Sequence, residues 1–318
     1  MKRCFAVLAA AAALVVGARP AYAWDDFGHR VVARIAWANM TPHARERAIA
    51  ILRASPSEMG LHGPGHAALS QDQQIEMFLF AATWPDVVRD TAWTNALRAE
   101  RYHHPYRHYV DTFWRQDTDF GPIQPVDRRP EGDLLREGPR MQRLLMDGTP
   151  ELKAVGLAWI LHLVGDIHQP LHASGRVTPR DPWGDAGGND FKLEIANPQA
   201  PTNQQFRRSL HGLWDGILTE TLNAPRPVAP LSFLTNAAHQ IMQHHPRGEF
   251  TSQLGKREFR DWANESVDIA KHVAYQPPLV RDQAAPPAYK AAAFQAAEAR
   301  AALAGYRLAD LLNRALEH

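Results

Sequence analysis

The stretch ELKAVGLAWILHLVGDIHQPLH, residues 151–172, joins a long apolar helix pattern to four titratable side chains near its end. Its apolar residues cover all sides of a 3.6-residue period, which predicts a helix buried in a helical protein. His162 and Asp166 are four positions apart and therefore share one helix face. Pro170 should end the helix and redirect His172. Burying so many ionisable groups is unfavourable unless they are paired or bind a metal.

Helical periodicity extends along nearly the whole chain, whereas strand patterns are scarce. Thr41, Ser70 and Thr149 each have a side-chain oxygen that can cap the start of a helix. The segment 173–203 is rich in Gly, Pro, Asp and Asn, so we expect a long loop with at most a short hairpin around FKLEI. A last helix is expected over 288–315. The sequence therefore predicts an all-α single domain.

The first 23 residues differ from the rest of the chain. Lys2 and Arg3 precede an apolar run, and AYA ends at Ala23 as a small-x-small cleavage site, which predicts a secretory signal peptide over 1–23 and one folded domain over 24–318. No later segment has the roughly 18 apolar residues that a membrane-spanning helix needs.

The composition, 45% hydrophobic and 22% charged, is that of a globular protein. Three of the 35 basic residues lie in the predicted signal peptide, so 32 basic and 34 acidic side chains remain. This near-neutral balance excludes nucleic-acid binding through a global basic excess and leaves local charge or a bound metal. The single cysteine also lies in the signal peptide, so stability must come from core packing or metal.

A second histidine–aspartate pair repeats the spacing of the first. In HGLWD, His211 and Asp215 are again four residues apart, so two helices could direct an imidazole and a carboxylate to one point. A single pair is more often a satisfied polar contact, but two pairs favour a zinc site. His168 faces away from Asp166, and we interpret it as structural or as a residue that supports the metal ligands.

Further candidate ligands occur in two other segments. ATWPDVVRD places Asp86 after a Trp-Pro break at a helix end, with Arg89 three residues later. YHHPYRHYVD offers His103, His104 and His108, and spacing alone does not choose among them.

Cleavage after Ala23 would make Trp24 the first residue, with His29 five residues later. A free α-amino group has a pKa of about 7.7–8.0, so its nitrogen, together with the carbonyl oxygen of Trp24, could chelate a metal. The alternative is that Trp24 only anchors the first helix as a large apolar residue.

A series of short motifs follows Trp24 in this order: GH, WPD, HYVD, HLVGDIHQPLH, GGND and HGLWD. With this series, the chain resembles the S1/P1 nuclease family of zinc-dependent phosphodiesterases. The resemblance runs from Trp24 to Asp215, and the WANESVDIA segment, residues 262–270, fits the C-terminal part of the family. Fungal members have cross-linking cysteines that this chain lacks, which suggests a bacterial version stabilised by metal.

The resemblance implies a mostly helical fold that holds three zinc ions through side chains from separate segments. The expected ligands are Asp86, His108, His162 and Asp166 for one ion; Trp24 through its amino nitrogen and carbonyl oxygen, His29 and the second oxygen of Asp166 for the next; and His172, His211 and Asp215 for the third.

The resemblance also implies cleavage of single-stranded DNA and RNA to 5′-phosphate products, and action on 3′-nucleotides. Arg89 stands where the family commonly has lysine and offers a forked donor for phosphate oxygens. With Asp86 and with Asn189 of GGND, it completes the expected catalytic residues. Tyr109 is expected to stack on a base, although core packing would also explain this tyrosine. We expect an exported monomer, periplasmic or secreted, without stable membrane association.

Two other functions are compatible with these motifs. A zinc phospholipase C shares the fold, but apolar loops would favour it and the 173–203 loop is polar. A non-catalytic zinc-binding protein of the periplasm would not need Arg89 and Asn189 beside its metals.

Overall fold

Helices make up most of the chain in the computed structural model, which describes residues 24–61, 68–88, 96–195 and 206–317. The α-helices are α1 (Asp26–Asn39), α2 (Pro42–Arg53), α3 (Gln71–Val87), α4 (Ala96–Tyr102), α5 (Leu134–Asp147), α6 (Pro150–His168), α7 (Leu210–Asp215), α8 (Ile217–Thr221), α9 (Leu231–His244), α10 (Thr251–Leu254), α11 (Phe259–Ile269) and α12 (Pro287–Ala315). The strands are β1 (Thr112–Arg115), β2 (Gln124–Pro125), β3 (Ser174–Val177), β4 (Lys192–Ile195) and β5 (Phe206–Ser209). The predicted mostly helical fold is confirmed. The predicted signal peptide lies outside the described residues, and the division at residue 24 stays a prediction.

The three predicted helix starts are confirmed. Thr41 Oγ1 accepts a hydrogen bond from the Ala44 amide at 3.1 Å, and Thr149 caps α6 in the same way. Ser70 forms a reciprocal capping box with Gln73 at the start of α3. These caps satisfy amides that the first helical turn leaves without partners.

Helix α6 lies at the centre of the fold. Every residue from Gly156 to His168 is buried, and the helix contacts α3, α5 and α12, as its apolar sequence predicts. It ends at His168, and a short 3₁₀ helix at Pro170–His172 follows, so the predicted effect of Pro170 is confirmed. Within the described ranges, no helix combines the length and hydropathy needed to cross a membrane.

The predicted break at Trp84-Pro85 is wrong. Helix α3 continues through Pro85 to Val87, so Asp86 lies in its last turn instead of after it. A proline removes the backbone hydrogen bond to the residue four positions earlier. Only two helical residues follow Pro85, which limits this loss to the end of the helix.

The predicted loop over 173–203 is wrong in part, because it contains a strand that the sequence did not reveal. β3 pairs in parallel with β1, which in turn pairs with β2. β4, at the FKLEI segment, forms the expected antiparallel pair with β5. β3 is buried throughout and does not alternate between apolar and polar residues, so the usual pattern of a half-buried strand is missing.

Candidate metal centre

His162 and Asp166 meet on the buried end of α6, as their spacing predicts. His162 Nε2 lies 3.3 Å from Asp166 Oδ2, and both side chains are fully buried. His162 Nδ1 donates to the Ala82 carbonyl of α3 at 2.7 Å. Because that nitrogen carries the hydrogen, Nε2 presents a lone pair toward the carboxylate, as a metal ligand would.

His108 and Asp86 complete this group from two other segments. His108 Nδ1 lies 2.9 Å from His162 Nε2 and 3.2 Å from Asp166 Oδ2. Asp86, in the last turn of α3, has one oxygen 4.0 Å from His108 Nδ1 and the other 3.9 Å from His162 Nε2. The structure therefore brings together the four residues expected at one ion, with His108 as the clustered histidine that reaches the group.

His29 contacts the second oxygen of Asp166. Its Nε2 is 3.3 Å from Asp166 Oδ1, and its ring stacks on that of His162 at 3.9 Å between centroids. Gly165 makes this approach possible, because a Cβ at that position would lie 2.8 Å from His29 Nδ1. The two oxygens of Asp166 thus face different histidines.

Trp24 is fully buried beside the same turn of α6. Its indole Nε1 donates to the Gly165 carbonyl at 3.0 Å. The next residue, Asp25, donates its amide to the Asp215 carbonyl at 3.1 Å. These two bonds fix the Trp24 backbone between α6 and α7, so both of its proposed roles, anchor and ligand, are compatible with this position.

His172, His211 and Asp215 form a second group, buried like the first. His211 Nε2 lies 3.4 Å from Asp215 Oδ2 and 3.1 Å from His172 Nε2, while His172 Nε2 is 4.0 Å from Asp215 Oδ1. His172 Nδ1 donates to the His108 carbonyl and His211 Nδ1 to the Gly187 carbonyl, each at 2.7 Å. The bond to His108 connects the two groups.

The chemistry of these donors fits a cation. In the described part of the chain, both ring nitrogens of His29 and Oδ2 of Asp215 are buried without a hydrogen-bond partner. Burial, with the charges of neighbouring histidines, holds the pKa of His29 well below its usual range, so its ring is neutral. Burial also raises the pKa of Asp215 well above its usual range. A zinc ion would satisfy neutral imidazoles and stabilise ionised carboxylates.

The GGND segment orients the candidate ligand His211, a role that the sequence did not predict. Gly187 has a φ of +60°, and a Cβ there would lie 2.3 Å from the Leu171 carbonyl. This close approach aims the Gly187 carbonyl at His211 Nδ1. Asn189, the predicted phosphate ligand, is half-buried, and its Nδ2 donates to the Ala186 carbonyl at 3.0 Å.

Gln169 is a supporting residue that sequence reasoning missed. It is fully buried, its Nε2 donates to Asp215 Oδ1 at 2.6 Å, and its Oε1 accepts from the Leu171 amide at 2.6 Å. The available signal was its position between the candidate ligands Asp166 and His172, next to the proline turn. Gln169 therefore orients the Asp215 carboxylate.

His168 has the structural role predicted for it, but through partners that no local pattern indicated. Its Nε2 accepts from Arg307 at 2.8 Å, and its carbonyl accepts from Arg300 at 3.2 Å. Arg300 also donates to Ser266 Oγ, which donates to the Ile167 carbonyl. Two cations of α12 thus hold the C-terminal end of α6, where the helix dipole favours positive charge.

Two further residues were predicted to contact the substrate, Tyr109 and Arg89. Tyr109 is half-buried next to His108, and burial raises the pKa of its hydroxyl above the usual range. Arg89 lies outside the described residues.

This helical protein has two connected, buried groups of histidine and aspartate that could hold metal ions. It is therefore a candidate metal-dependent hydrolase. The comparisons identify the family: the sequence profile of S1/P1 nuclease matches residues 24–317, and the chain belongs to this family. It is therefore a nuclease, in a family of secreted, zinc-dependent enzymes.

Individual relatives are distant in sequence. Endonuclease 3 of Arabidopsis thaliana is 24% identical over 310 residues, which cover 92% of this chain and 89% of the relative. Nuclease S1 of Aspergillus oryzae is 25% identical over 215 residues, 67% of this chain and 61% of the relative. Endonuclease 4 of Arabidopsis thaliana is 29% identical over 171 residues, about half of each chain.

Proposed function

We propose that this nuclease uses three zinc ions to hydrolyse single-stranded DNA and RNA to 5′-phosphate products and to remove phosphate from 3′-nucleotides. The observation that carries the proposal is Asp166, whose two oxygens face His29 on one side and His108 and His162 on the other. A carboxylate in this position can bridge two ions, as in two-metal phosphodiesterases.

The proposed ligands of each ion follow the family resemblance, and the proximity of the histidine and aspartate side chains supports them. They are Asp86, His108, His162 and Asp166 for the first; the Trp24 amino nitrogen and carbonyl oxygen, His29 and Asp166 for the second; and His172, His211 and Asp215 for the third. Bound zinc supplies Lewis acidity, which polarises phosphoryl oxygens and lowers the pKa of water.

The protein contributes fixed ligand orientation. His162, His172 and His211 each donate Nδ1 to a backbone carbonyl, which sets the tautomer and leaves Nε2 as the ligand atom. Because these carbonyls belong to α3, to His108 and to the GGND segment, packing between distant segments controls the site. Such preorganisation reduces the rearrangement needed during the reaction.

Substrate contacts are assigned to three residues. Arg89 and Asn189 would bind the non-bridging phosphate oxygens, where negative charge accumulates in the transition state. Tyr109, half-buried beside the ligand His108, would present its ring to a base, and stacking of this kind accepts any sequence.

The mature chain is proposed to begin at Trp24, after removal of residues 1–23, in an exported bacterial protein that acts as a monomer. The family match also begins at residue 24. The two bonds that fix Trp24 and Asp25 against α6 and α7 support a terminal amine held beside His29 and Asp166. The free amine exists only after cleavage.

The test is release of acid-soluble nucleotide from single-stranded DNA by the mature protein, before chelation, after chelation and after zinc is restored. Loss and recovery of activity, with three zinc ions per chain in the active protein, would support the proposal. Release that survives complete zinc removal would contradict it. Three bound zinc ions without release, combined with hydrolysis of phosphocholine lipids, would instead indicate the phospholipase alternative.

A further inference from the structure

Trp183 is the most exposed of the large apolar side chains in the described ranges, at 80%. It lies six residues before Asn189, in the loop between β3 and the GGND segment. Single exposed apolar residues are common on protein surfaces, so the case for a function depends on how this residue is held and what surrounds it.

The backbone around Trp183 is fixed on both sides. The Trp183 carbonyl accepts a hydrogen bond from Arg128 Nη1 at 2.7 Å. The Gly184 amide donates to the Asp181 carbonyl at 3.0 Å, and Asp181 Oδ2 accepts from Thr178 Oγ1 at 3.1 Å. An aromatic ring presented on a fixed backbone loses little further conformational freedom when it stacks on a ligand.

Trp183 lies near the metal centre along its own loop. Four residues lead from it to Gly187, whose carbonyl holds the ligand His211. Because a residue spans at most about 3.6 Å, the Cα atoms of Trp183 and Gly187 are within about 14 Å. A strand bound at the metal ions can therefore reach Trp183.

A second connection leads from Trp183 to Tyr109. Arg128 bonds both to the Trp183 carbonyl and to the Glu131 carboxylate. The next residue, Gly132, lies directly against the Tyr109 carbonyl, since a Cβ at that position would be 2.3 Å from this oxygen. The segment 128–132 thus separates the two aromatic residues, which would contact different nucleotides.

The surroundings of Trp183 favour a nucleic acid over a lipid surface. The guanidinium of Arg128, which bonds to the Trp183 carbonyl, lies 3.8 Å from the Phe113 ring centroid and keeps some solvent exposure. An aromatic face beside a cation matches the bases and phosphates of a single strand. Between residues 178 and 190, all of which the structure describes, Trp183 is the one large exposed apolar side chain.

We propose that Trp183 stacks on a base next to the scissile nucleotide and so binds the strand that flanks the cleavage point. The proposal rests on the nuclease function proposed above and adds a binding position to it. A 3′-mononucleotide has no flanking base and should not use Trp183. The residue is therefore expected to favour polymeric over mononucleotide substrates.

The experiment compares kcat/KM for a single-stranded DNA oligonucleotide and for a 3′-mononucleotide, using zinc-loaded parent protein and Trp183→Ala. For the variant we expect kcat/KM on the oligonucleotide to fall by about 5- to 150-fold, which corresponds to the stacking energy of one base. On the mononucleotide we expect little change. Trp183→Phe should retain most of the activity. Val228→Ala, at a residue 57% exposed, is the matched control.

Equal losses on both substrates, or an unchanged rate on the oligonucleotide while the parent cleaves both, would overturn the proposal. Binding to phosphatidylcholine vesicles that depends on Trp183, with unchanged oligonucleotide kinetics, would also overturn it and point to a lipid surface. If the parent cleaves neither substrate, the nuclease proposal itself fails, and this outcome is distinct from failure of the Trp183 assignment alone.

Discussion

His172 Nε2 and His211 Nε2 lie 3.1 Å apart, and each ring donates its Nδ1 hydrogen to a backbone carbonyl. Two lone pairs therefore face each other in a buried space, which is unfavourable unless a cation lies beside them. Asp215 adds an oxygen from the third side. His172, His211 and Asp215 could therefore hold a metal ion.

Gly187→Ala is expected to remove one zinc ion per chain and most of the activity. The new Cβ would lie 2.3 Å from the Leu171 carbonyl at a φ of +60°, so the loop must shift and His211 loses its hydrogen-bond acceptor. Zinc content and nuclease rate are the measurements. Gly248→Ala, where a Cβ meets no atom within 4 Å, is the control. Unchanged zinc content in Gly187→Ala would contradict the assigned role of this loop.

Protein made with one extra residue before Trp24 is expected to lose one zinc ion and most of its activity. The α-amino nitrogen would become an amide, which does not bind zinc at neutral pH in the same way. Metal analysis and the rate on single-stranded DNA check this, with the same residue added after His318 as the control. Full zinc content and full activity in the extended protein would exclude terminal chelation.

Replacement of Arg89 or Asn189 by Ala is expected to reduce kcat by about 10²–10³-fold with zinc content intact, because each removes a donor to the charged transition state. Arg47→Ala, at an exposed position of α2, should have no effect. An unchanged kcat in both variants would remove these residues from the reaction. If the parent protein also binds zinc without hydrolysing nucleic acid, a metal-binding protein becomes the better description.

Glu265→Gln is expected to lower the free energy of unfolding by about 1.5 kcal/mol at pH 7, the value of a hydrogen bond to a charged group. Burial alone would raise the pKa of Glu265, but its hydrogen bond with Arg307 and the charges of Arg307 and Arg300 outweigh burial and lower it. A lowered folded pKa stabilises the protein above the unfolded value of about 4.5, and this contribution is lost as pH falls further.

The difference in stability between Glu265→Gln and the parent should therefore shrink in acid. Because the loss takes place below the unfolded value of about 4.5, denaturant unfolding of both proteins from pH 7 down to about pH 2.5 measures it. Asp310→Asn, which breaks the more exposed pair with Arg247, should cost less than about 1 kcal/mol. A difference that stays constant over this pH range would show that the charge of Glu265 does not stabilise the fold.

Local sequence was sufficient to predict the parts of the fold that depend on near neighbours. The all-round apolar pattern of α6, the caps at Thr41 and Thr149 and the four-residue spacing of His162 and Asp166 are all properties of short segments. The observed geometry agrees with them because the same periodicity that forms the helix also aligns the two side chains.

Features that depend on distant segments could not be predicted in this way. β3 forms because β1, about sixty residues earlier, provides a partner, and its own four residues carry no distinctive pattern. The contact between Arg307 and His168 joins residues 139 positions apart. The assignment of zinc ligands among scattered histidines came from the family resemblance, and only the fold shows which of them are neighbours.

Arg300 and Arg307 of α12 bind the end of α6, so we expect activity to depend on the C-terminal helix. The last proposed metal ligand is Asp215, yet Arg300 and Arg307, about ninety residues further on, hold the turn that carries Asp166 toward His172. A proteolytic cut before α12 would leave every proposed ligand present while releasing that turn. Such a cut is therefore expected to lower activity without removing a proposed ligand, because Arg300 and Arg307 would no longer hold the end of α6.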